Sequence, residues 1–362
     1  MHILMVSLDF IPIVGGITAH VHELSNALQN SGHKVTIITR AVKGREAFEQ
    51  IDGMDIYRIN LKPIGITYGY QVNRFIKKHL KEIKPDLIHI HGMRPLEFYN
   101  IKDKPLAYTN HTSGYLKRIK KGGYRIAILK RVFQKPQLFL APSRELLEIP
   151  FSIKSIKTYI PNGVVSQKFE RNIEKREKIR KEFNLNENDI LGIVTRRMVW
   201  KNGVRYLALA TKFIKNRDLK LLFIGDGEEF NEVETILGEN FKDRYFMLGS
   251  KKHEEIIDFY SGADLSILPS LMEATSISGL EAMAASLPIV GTAVGGIPEL
   301  VKDGITGYLC EPKNPKDLAN KIDKLLDNDY KKMGQKAHEI VKKDFDWNTI
   351  AKKVVLEYKK IL

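Results

Sequence analysis

Glu273 and Glu281 stand eight positions apart in the stretch PSLMEATSISGLEAMAASLPIVGT, separated mainly by small and hydroxylated residues. A carboxylate only accepts hydrogen bonds, and its two oxygens can take two neighbouring hydroxyls side by side, as on a ribose. Glu281 suits that role from the first turn or so of the helix EAMAAS, and Glu273, at the loop entrance, suits a sugar hydroxyl. Between them the backbone N–H groups of Ala274, Thr275, Ser276, Ile277 and Ser278 lie at a helix start, a ready site for a phosphate. The plainer reading has Glu281 complementing the helix dipole and Glu273 merely solvated.

The flanking pattern says how these groups are positioned. The stretch follows an apolar run, DLSILPS, and leads through a small-residue helix into LPIVGT, a strand–loop–helix–strand unit of parallel type. In such sheets ligands bind beyond the carboxyl ends of the strands, which here is the loop 271–279. The first half repeats the plan: ILMVSL is a strand, and Ile17, Val21, Leu24 and Leu28 recur at helical spacing before Ser31-Gly32 stops the helix. Gly15 and Gly16 fall at that strand-to-helix junction, either beside a phosphate or sugar or as a plain tight turn. They do not form GxGxxG, and no acidic residue follows at the spacing a dinucleotide ribose needs. Strands are expected at HKVTIITR, MDIYRIN, PDLIHIH, PLAYTNH and QLFLAPSREL, with Ser143 as a helix N-cap and a helix over 68–83. PLAYTNH brings His111 to the carboxyl edge of the sheet, as a site residue or as a satisfied structural histidine. Charged residues 166–188 read as a linker with a short helix, and a second αβ series runs from DILGIVT to the C-terminus.

At 362 residues two domains are expected, 1–165 with about 345–362, and 166–344. No apolar run is long enough to span a bilayer, no signal peptide is expected, and one cysteine fits a reducing, cytoplasmic setting. The net charge is +15, of which residues 1–165 carry +13. Ten Lys or Arg and no Asp or Glu occur from Lys104 to Arg144, pointing to an anionic partner for the first half. Within 115–135, Lys117, Arg118, Lys120, Lys121, Arg125, Lys130 and Arg131 alternate with apolar residues. The part after Gly122-Gly123 reads as a basic amphipathic helix for anionic lipid, or as the solvated face of a packed helix. Nucleic acid is a weaker reading, since no recognition motif accompanies the charge.

Together these segments resemble the family-4 retaining glycosyltransferases of GT-B fold. The resemblance rests on VGGITAHVHELSNALQNSGHKVTIIT, DLIHIHG, YTNHTSG and IPNGV in the first half, and on RRMVWKNG, FIGDG, FMLGS and the long stretch from PSLMEATSISGLEAM to GGIPELVKDGITGYL in the second. It implies two Rossmann-like α/β domains facing a cleft, with the last helix crossing back to the first domain. It further implies Glu281 on the nucleotide ribose, Glu273 on the donor sugar, Thr275 to Ile277 amides on sugar and diphosphate, and Arg197 on the diphosphate. Gly16 beside the phosphates, His111 near the transferred sugar, and Gly225 and Gly249 in the donor region complete the set. Two positions depart from the family pattern. Arg196 stands where a glycine is usual, and Asn202 where a lysine is usual. Either Lys201 reaches the diphosphate through a shifted loop, or Arg196 or solvent takes its place.

The resulting expectation is a retaining hexosyltransferase using a UDP- or GDP-sugar without an obligatory metal. The acceptor is expected to be lipid-linked or otherwise anionic, with the protein peripheral at an anionic membrane. A small acidic soluble acceptor, a nucleotide-sugar 2-epimerase and a non-catalytic nucleotide-sugar-binding protein are the alternatives. Base, sugar and linkage are not legible.

Overall fold

A computed structural model of the chain describes residues 1–13, 15–61, 67–111, 115, 119 and 122–362. The chain divides into two units, Met1–Asn162 with Trp347–Leu362, and Gly163–Asp346.

The first unit is built on eight strands: β1 His2–Ser7, β2 Lys34–Arg40, β3 Phe48–Ile51, β4 Met54–Ile59, β5 Leu87–His91, β6 Leu106–Thr109, β7 Leu138–Ala141 and β8 Ile156–Tyr159. Their order is β3-β4-β2-β1-β5-β6-β7-β8, parallel throughout except for the β3–β4 hairpin. That hairpin, closed by Asp52-Gly53 with both residues at positive φ, was not expected from the sequence. β5 is buried at every residue, the continuous run of a parallel strand covered on both faces. Helices α1 Gly16–Asn30, α2 Tyr68–Ile83, α3 Met93–Phe98 and α4 Tyr124–Phe133 belong to this unit, as does the C-terminal helix Trp347–Tyr358. In α1 the expected Val21, Leu24 and Leu28 are buried. In α2, Ile76 and Ile83 are buried, but Phe75 and Leu80 only partly.

The second unit carries β9 Ile190–Thr195, β10 Leu219–Ile224, β11 Tyr245–Met247, β12 Leu265–Leu268, β13 Ile289–Thr292 and β14 Gly307–Cys310. The order is β11-β10-β9-β12-β13-β14, all parallel. Its helices are α5 Ile173–Glu182, α6 Val204–Ala210, α7 Phe230–Asn240, α8 His253–Gly262, α9 Ile277–Ala284, α10 Ile297–Leu300, α11 Pro315–Leu326 and α12 Tyr330–Asp344. Alternation along the strands feeds two cores. Leu191, Ile193, Leu222 and Ile224 join one, and Val194, Leu219, Leu221 and Phe223 the other, so the sheet is clad on both faces.

Three expectations are corrected. Segment 166–188 is not a linker: Arg171, Arg176 and Arg180 of this segment converge on buried Asp264, which also accepts from the Leu191 N–H. The unit boundaries lie at Asn162/Gly163 and Asp346/Trp347, because Val164 N–H donates to Phe345 O and Ser166 to Asp346, which keeps both flanks in the second unit. Ser143 caps no helix. It is buried with its hydroxyl unpartnered, ahead of a short 3-10 turn, Glu145–Leu147.

Both sheets reverse direction of growth once. In the first unit the switch lies between β1 and β5, in the second between β9 and β12. A crevice forms beyond the strand ends at such a point, and both groups of candidate residues lie there.

Candidate active site

In the second unit, β9 ends at Thr195 and delivers Arg196 and Arg197, while β12 ends at Leu268 and delivers the loop to Ser276. Ser276 is the N-cap of α9, accepting from Gly279 N–H at 3.1 Å. Arg196 bridges the two strand ends. Its Nη1 donates to Glu273 Oε2 at 2.5 Å and its Nη2 to Ser276 Oγ at 2.7 Å, with the Arg196 and Glu273 side chains only 10% and 16% exposed. Glu273 is therefore not a solvated carboxylate, and Arg196 is committed to it rather than standing in as an independent cation. The loop is pinned from behind by Gly295, at φ +53°, where a Cβ would fall 1.6 Å from Glu273 O.

Glu281 lies one turn into α9 and is buried, deeper than a residue placed to complement the dipole. Its Oε1 accepts from His253 Nε2 at 2.7 Å, and its Oε2 lies 3.2 Å from the Tyr260 hydroxyl. Tyr260 also approaches Ser278 O and Thr195 Oγ1, at 3.1 and 2.6 Å. Burial, and then the Glu281 charge, hold the Tyr260 phenol well above its ordinary pKa, so it remains a donor. A carboxylate offers about four lone-pair sites, so two partners leave Glu281 capacity for further hydroxyls.

Arg197 and Lys201 are both exposed. Asn202 is buried, and its Nδ2 donates to Arg197 O at 2.7 Å. Position 202 therefore pins the loop in this chain rather than carrying a charge. Lys201 O in turn accepts from Leu271 and Met272 N–H. Gly225, at φ +139°, packs against Arg196 O, 2.0 Å from where a Cβ would lie, so its place in the loop geometry is structural, and its N–H donates to Gly249 O.

The first unit gathers imidazoles. His89 and His91 share one face of β5, His111 lies two residues past β6, and His20 is the fifth residue of α1. His91 Nδ1 is 2.9 Å from His111 Nε2, and His20 packs against His111 with ring centroids 4.6 Å apart. His20 Nδ1 meets Asn162 Oδ1 at 2.8 Å. His91 Nε2 meets Met5 Sδ at 3.3 Å, and His89 lies between Tyr358 Oη and Thr109 Oγ1. Burial pushes His20 down to about 4 and His89 to about 3, and holds His91 and His111 well below the ordinary imidazole value. All four rings are neutral at pH 7, so His111 can exchange hydrogen bonds but brings no charge. Gly15 is extended, at φ 175°, and Gly16 opens α1, so the pair is not a tight turn. A Cβ at either would meet nothing within 4 Å.

Of the basic candidates, Lys117, Arg118, Lys120 and Lys121 lie outside the described residues. Arg125, Lys130 and Arg131 are on α4, whose Leu129, Val132 and Phe133 are buried while Tyr124 and Ile128 are 67% and 46% exposed. Among the described residues no helix is long and apolar enough to cross a membrane.

Sequence reasoning missed His20, His91, Asn162, His253 and Tyr260. His20 had a visible signal, one place from Val21 in an apolar stripe, and His91 lies two positions from His89 in a buried strand. The partners of Glu281 had none, since 28 and 21 residues separate them from it.

Two family models match the chain: Glycosyltransferase Family 4 over residues 14–168, and Glycosyl transferases group 1 over residues 175–343. Between them they take in most of both units, and the chain belongs to the group 1, family 4 glycosyltransferases. An uncharacterized glycosyltransferase of Methanocaldococcus jannaschii is 27% identical over 99% of this chain and 98% of its own length. The N-acetyl-alpha-D-glucosaminyl L-malate synthase of Bacillus anthracis is 30% identical over 60% of this chain and 55% of its own. The phosphatidylinositol N-acetylglucosaminyltransferase gpi3 subunit of Schizosaccharomyces pombe is 25% identical over 99% and 80%. Among solved structures, sucrose-phosphate synthase from Thermosynechococcus elongatus aligns with a TM-score of 0.82 at 21% identity, covering 99% of this chain and 98% of that one. Anabaena HepE in complex with UDP-glucose aligns at 0.76 and 19%, covering 99% and 100%. At these identities the structures speak for the fold, which is GT-B. The protein is a glycosyltransferase.

Proposed function

We propose that the chain transfers a hexose, with retention, from a UDP- or GDP-sugar to an acceptor hydroxyl, giving an α-glycoside and a nucleoside diphosphate. The observation that carries this reading is the polar frame around the start of α9, with Arg196, Glu273 and Ser276 on one side and buried Glu281 on the other. A nucleoside-diphospho-sugar has matching parts: ribose hydroxyls for Glu281, diphosphate for the helix amides with Arg197 and Lys201, and sugar hydroxyls for Glu273. Departure of the diphosphate leaves negative charge on the phosphate and oxocarbenium character on the sugar. Fixed donors and cations stabilise the first without a metal. The leaving phosphate oxygen then takes the acceptor proton on the same face. His111, neutral and held by His91, positions the sugar rather than acting as a strong base.

The acceptor belongs to the first unit, together with Gly15-Gly16 and the basic helix α4. Exposed Tyr124 and Ile128 one turn apart, beside Arg125, Lys130 and Arg131, favour an acceptor at an anionic lipid surface. The printed name of the S. pombe relative is consistent with a lipid acceptor, and that of the B. anthracis relative with a small acid. Both are anionic. The test is incubation of purified protein and UDP- or GDP-sugars with phosphatidylinositol vesicles or with L-malate, assigning the product anomer by NMR. An α-glycoside formed without added metal is expected. A β-anomer, or a requirement for a divalent ion, would overturn the mechanism.

A further inference from the structure

We propose that His20, His91 and His111 form a binding site for a divalent transition metal of the zinc type, whose occupancy shuts the enzyme off. One ligand nitrogen from each ring lies within 4.8 Å of the other two. The three come from α1, the end of β5 and the segment after β6, so the sheet itself brings them together at the switch point.

The remote nitrogens show which lone pairs converge. Asn162 Oδ1 and Met5 Sδ are acceptors, so His20 carries its proton on Nδ1 and His91 on Nε2. That leaves His20 Nε2 and His91 Nδ1 as free-pair nitrogens facing the cluster. Remote acceptors of this kind orient metal-binding imidazoles in known sites. His111 Nε2–H presently donates to His91 Nδ1. Ligation by His111 moves that proton to its own Nδ1 and frees Nε2, so the site fills without releasing a proton.

The donor set selects the ion. Three imidazoles and no carboxylate suit Zn2+, Co2+, Ni2+ or Cu2+, and do not suit Mg2+ or Ca2+. A tetrahedral site with metal–nitrogen bonds of about 2.0–2.1 Å needs nitrogens about 3.4 Å apart, so the widest pair must close by at most about 1.4 Å. His20 is the member free to close, since its only hydrogen bond among those resolved is to the Asn162 side chain, whereas His91 is held at both nitrogens. Three protein ligands leave a fourth position for water.

The binding claim stands independently of the assigned reaction. The inhibitory consequence rests on the transferase reading, because ligation through Nε2 moves the His111 proton to Nδ1 and turns the nitrogen left for the substrate from an acceptor into a donor.

The test uses the full chain, stripped with chelator and titrated with Co2+ and then Zn2+. One equivalent of Co2+ is expected to give the intense visible absorption of a four-coordinate ion, abolished by one equivalent of Zn2+. His20→Asn and His111→Asn should each weaken affinity more than 100-fold, and Asn162→Ala, which removes only an orienting partner, about 10-fold. Circular dichroism checks that each variant is folded. Weak binding of several equivalents, or affinity unchanged in folded His20→Asn and His111→Asn, overturns the site. If one Zn2+ binds there but turnover is unaffected, the site survives and the role given to His111 does not.

Discussion

The two units place their polar groups at equivalent points, the switch of each parallel sheet, yet handle charge in opposite ways. In the second unit carboxylates carry the charge: Glu273 is paired with Arg196, and Glu281 is hydrogen-bonded to His253 beside a neutral phenol. In the first unit the polar groups are buried or half-buried imidazoles, linked by hydrogen bonds and kept neutral by desolvation. The difference suits the tasks proposed for each. A diphosphate and a ribose call for fixed charge and bidentate acceptors, whereas a transferred sugar needs uncharged donors and acceptors in a dry pocket.

Several perturbations set the two regimes against each other. Glu281→Ala should cut kcat/KM about 1,000-fold, the loss of two charge-assisted hydrogen bonds at roughly 2 kcal/mol each, as read by initial rates on the folded variant. Arg196→Ala strands Glu273 among partly buried groups and should lower the stability of the second unit by about 3 kcal/mol in urea unfolding. Arg196→Ala with Glu273→Gln should recover much of that loss. Additive effects would show that the pair is not coupled.

Acid should strike the first unit selectively. The folded-state pKa of His20 lies below its unfolded value, so the unfolded chain binds more protons between the two, and stability falls as pH drops from 6.5 towards 4. His20 alone contributes about 2 kcal/mol of loss by pH 5. Hydrogen exchange at β5 and β9 across that range separates the units, and equal acid sensitivity in both would contradict the contrast. The smallest effect is expected on α4. Tyr124→Ser with Ile128→Ser should change stability by less than about 0.5 kcal/mol, since both side chains are exposed, while reducing flotation with anionic vesicles several-fold.

The contrast also explains what could be read in advance. The second-unit signature is local: Glu273, Ser276 and Glu281 fall within nine residues, so their spacing alone suggested a frame around a helix start. The parallel αβ order was legible too, because buried strands are continuous apolar runs and α1 keeps its period. The imidazole nest draws on α1, β5, the end of β6 and Asn162, so only tertiary packing brings it together. Arg196 shows the same limit inside a recognised motif. It stood out as a departure, but its bond to Glu273 spans 77 residues and no spacing rule reaches across it. The segment 166–188 misled for a different reason. Its charge resembles a solvated linker, yet three of its arginines surround Asp264.

The account stands most directly on donor binding by the second unit. Calorimetric titration of the wild-type chain and Glu281→Ala with UDP, GDP and their sugars, in chelator, measures it. We predict one site in the wild type for one of the two nucleotides, weakened at least 100-fold by Glu281→Ala, with both proteins folded. Equal affinity in the two proteins, or no binding of any nucleoside diphosphate by the wild type, would contradict it.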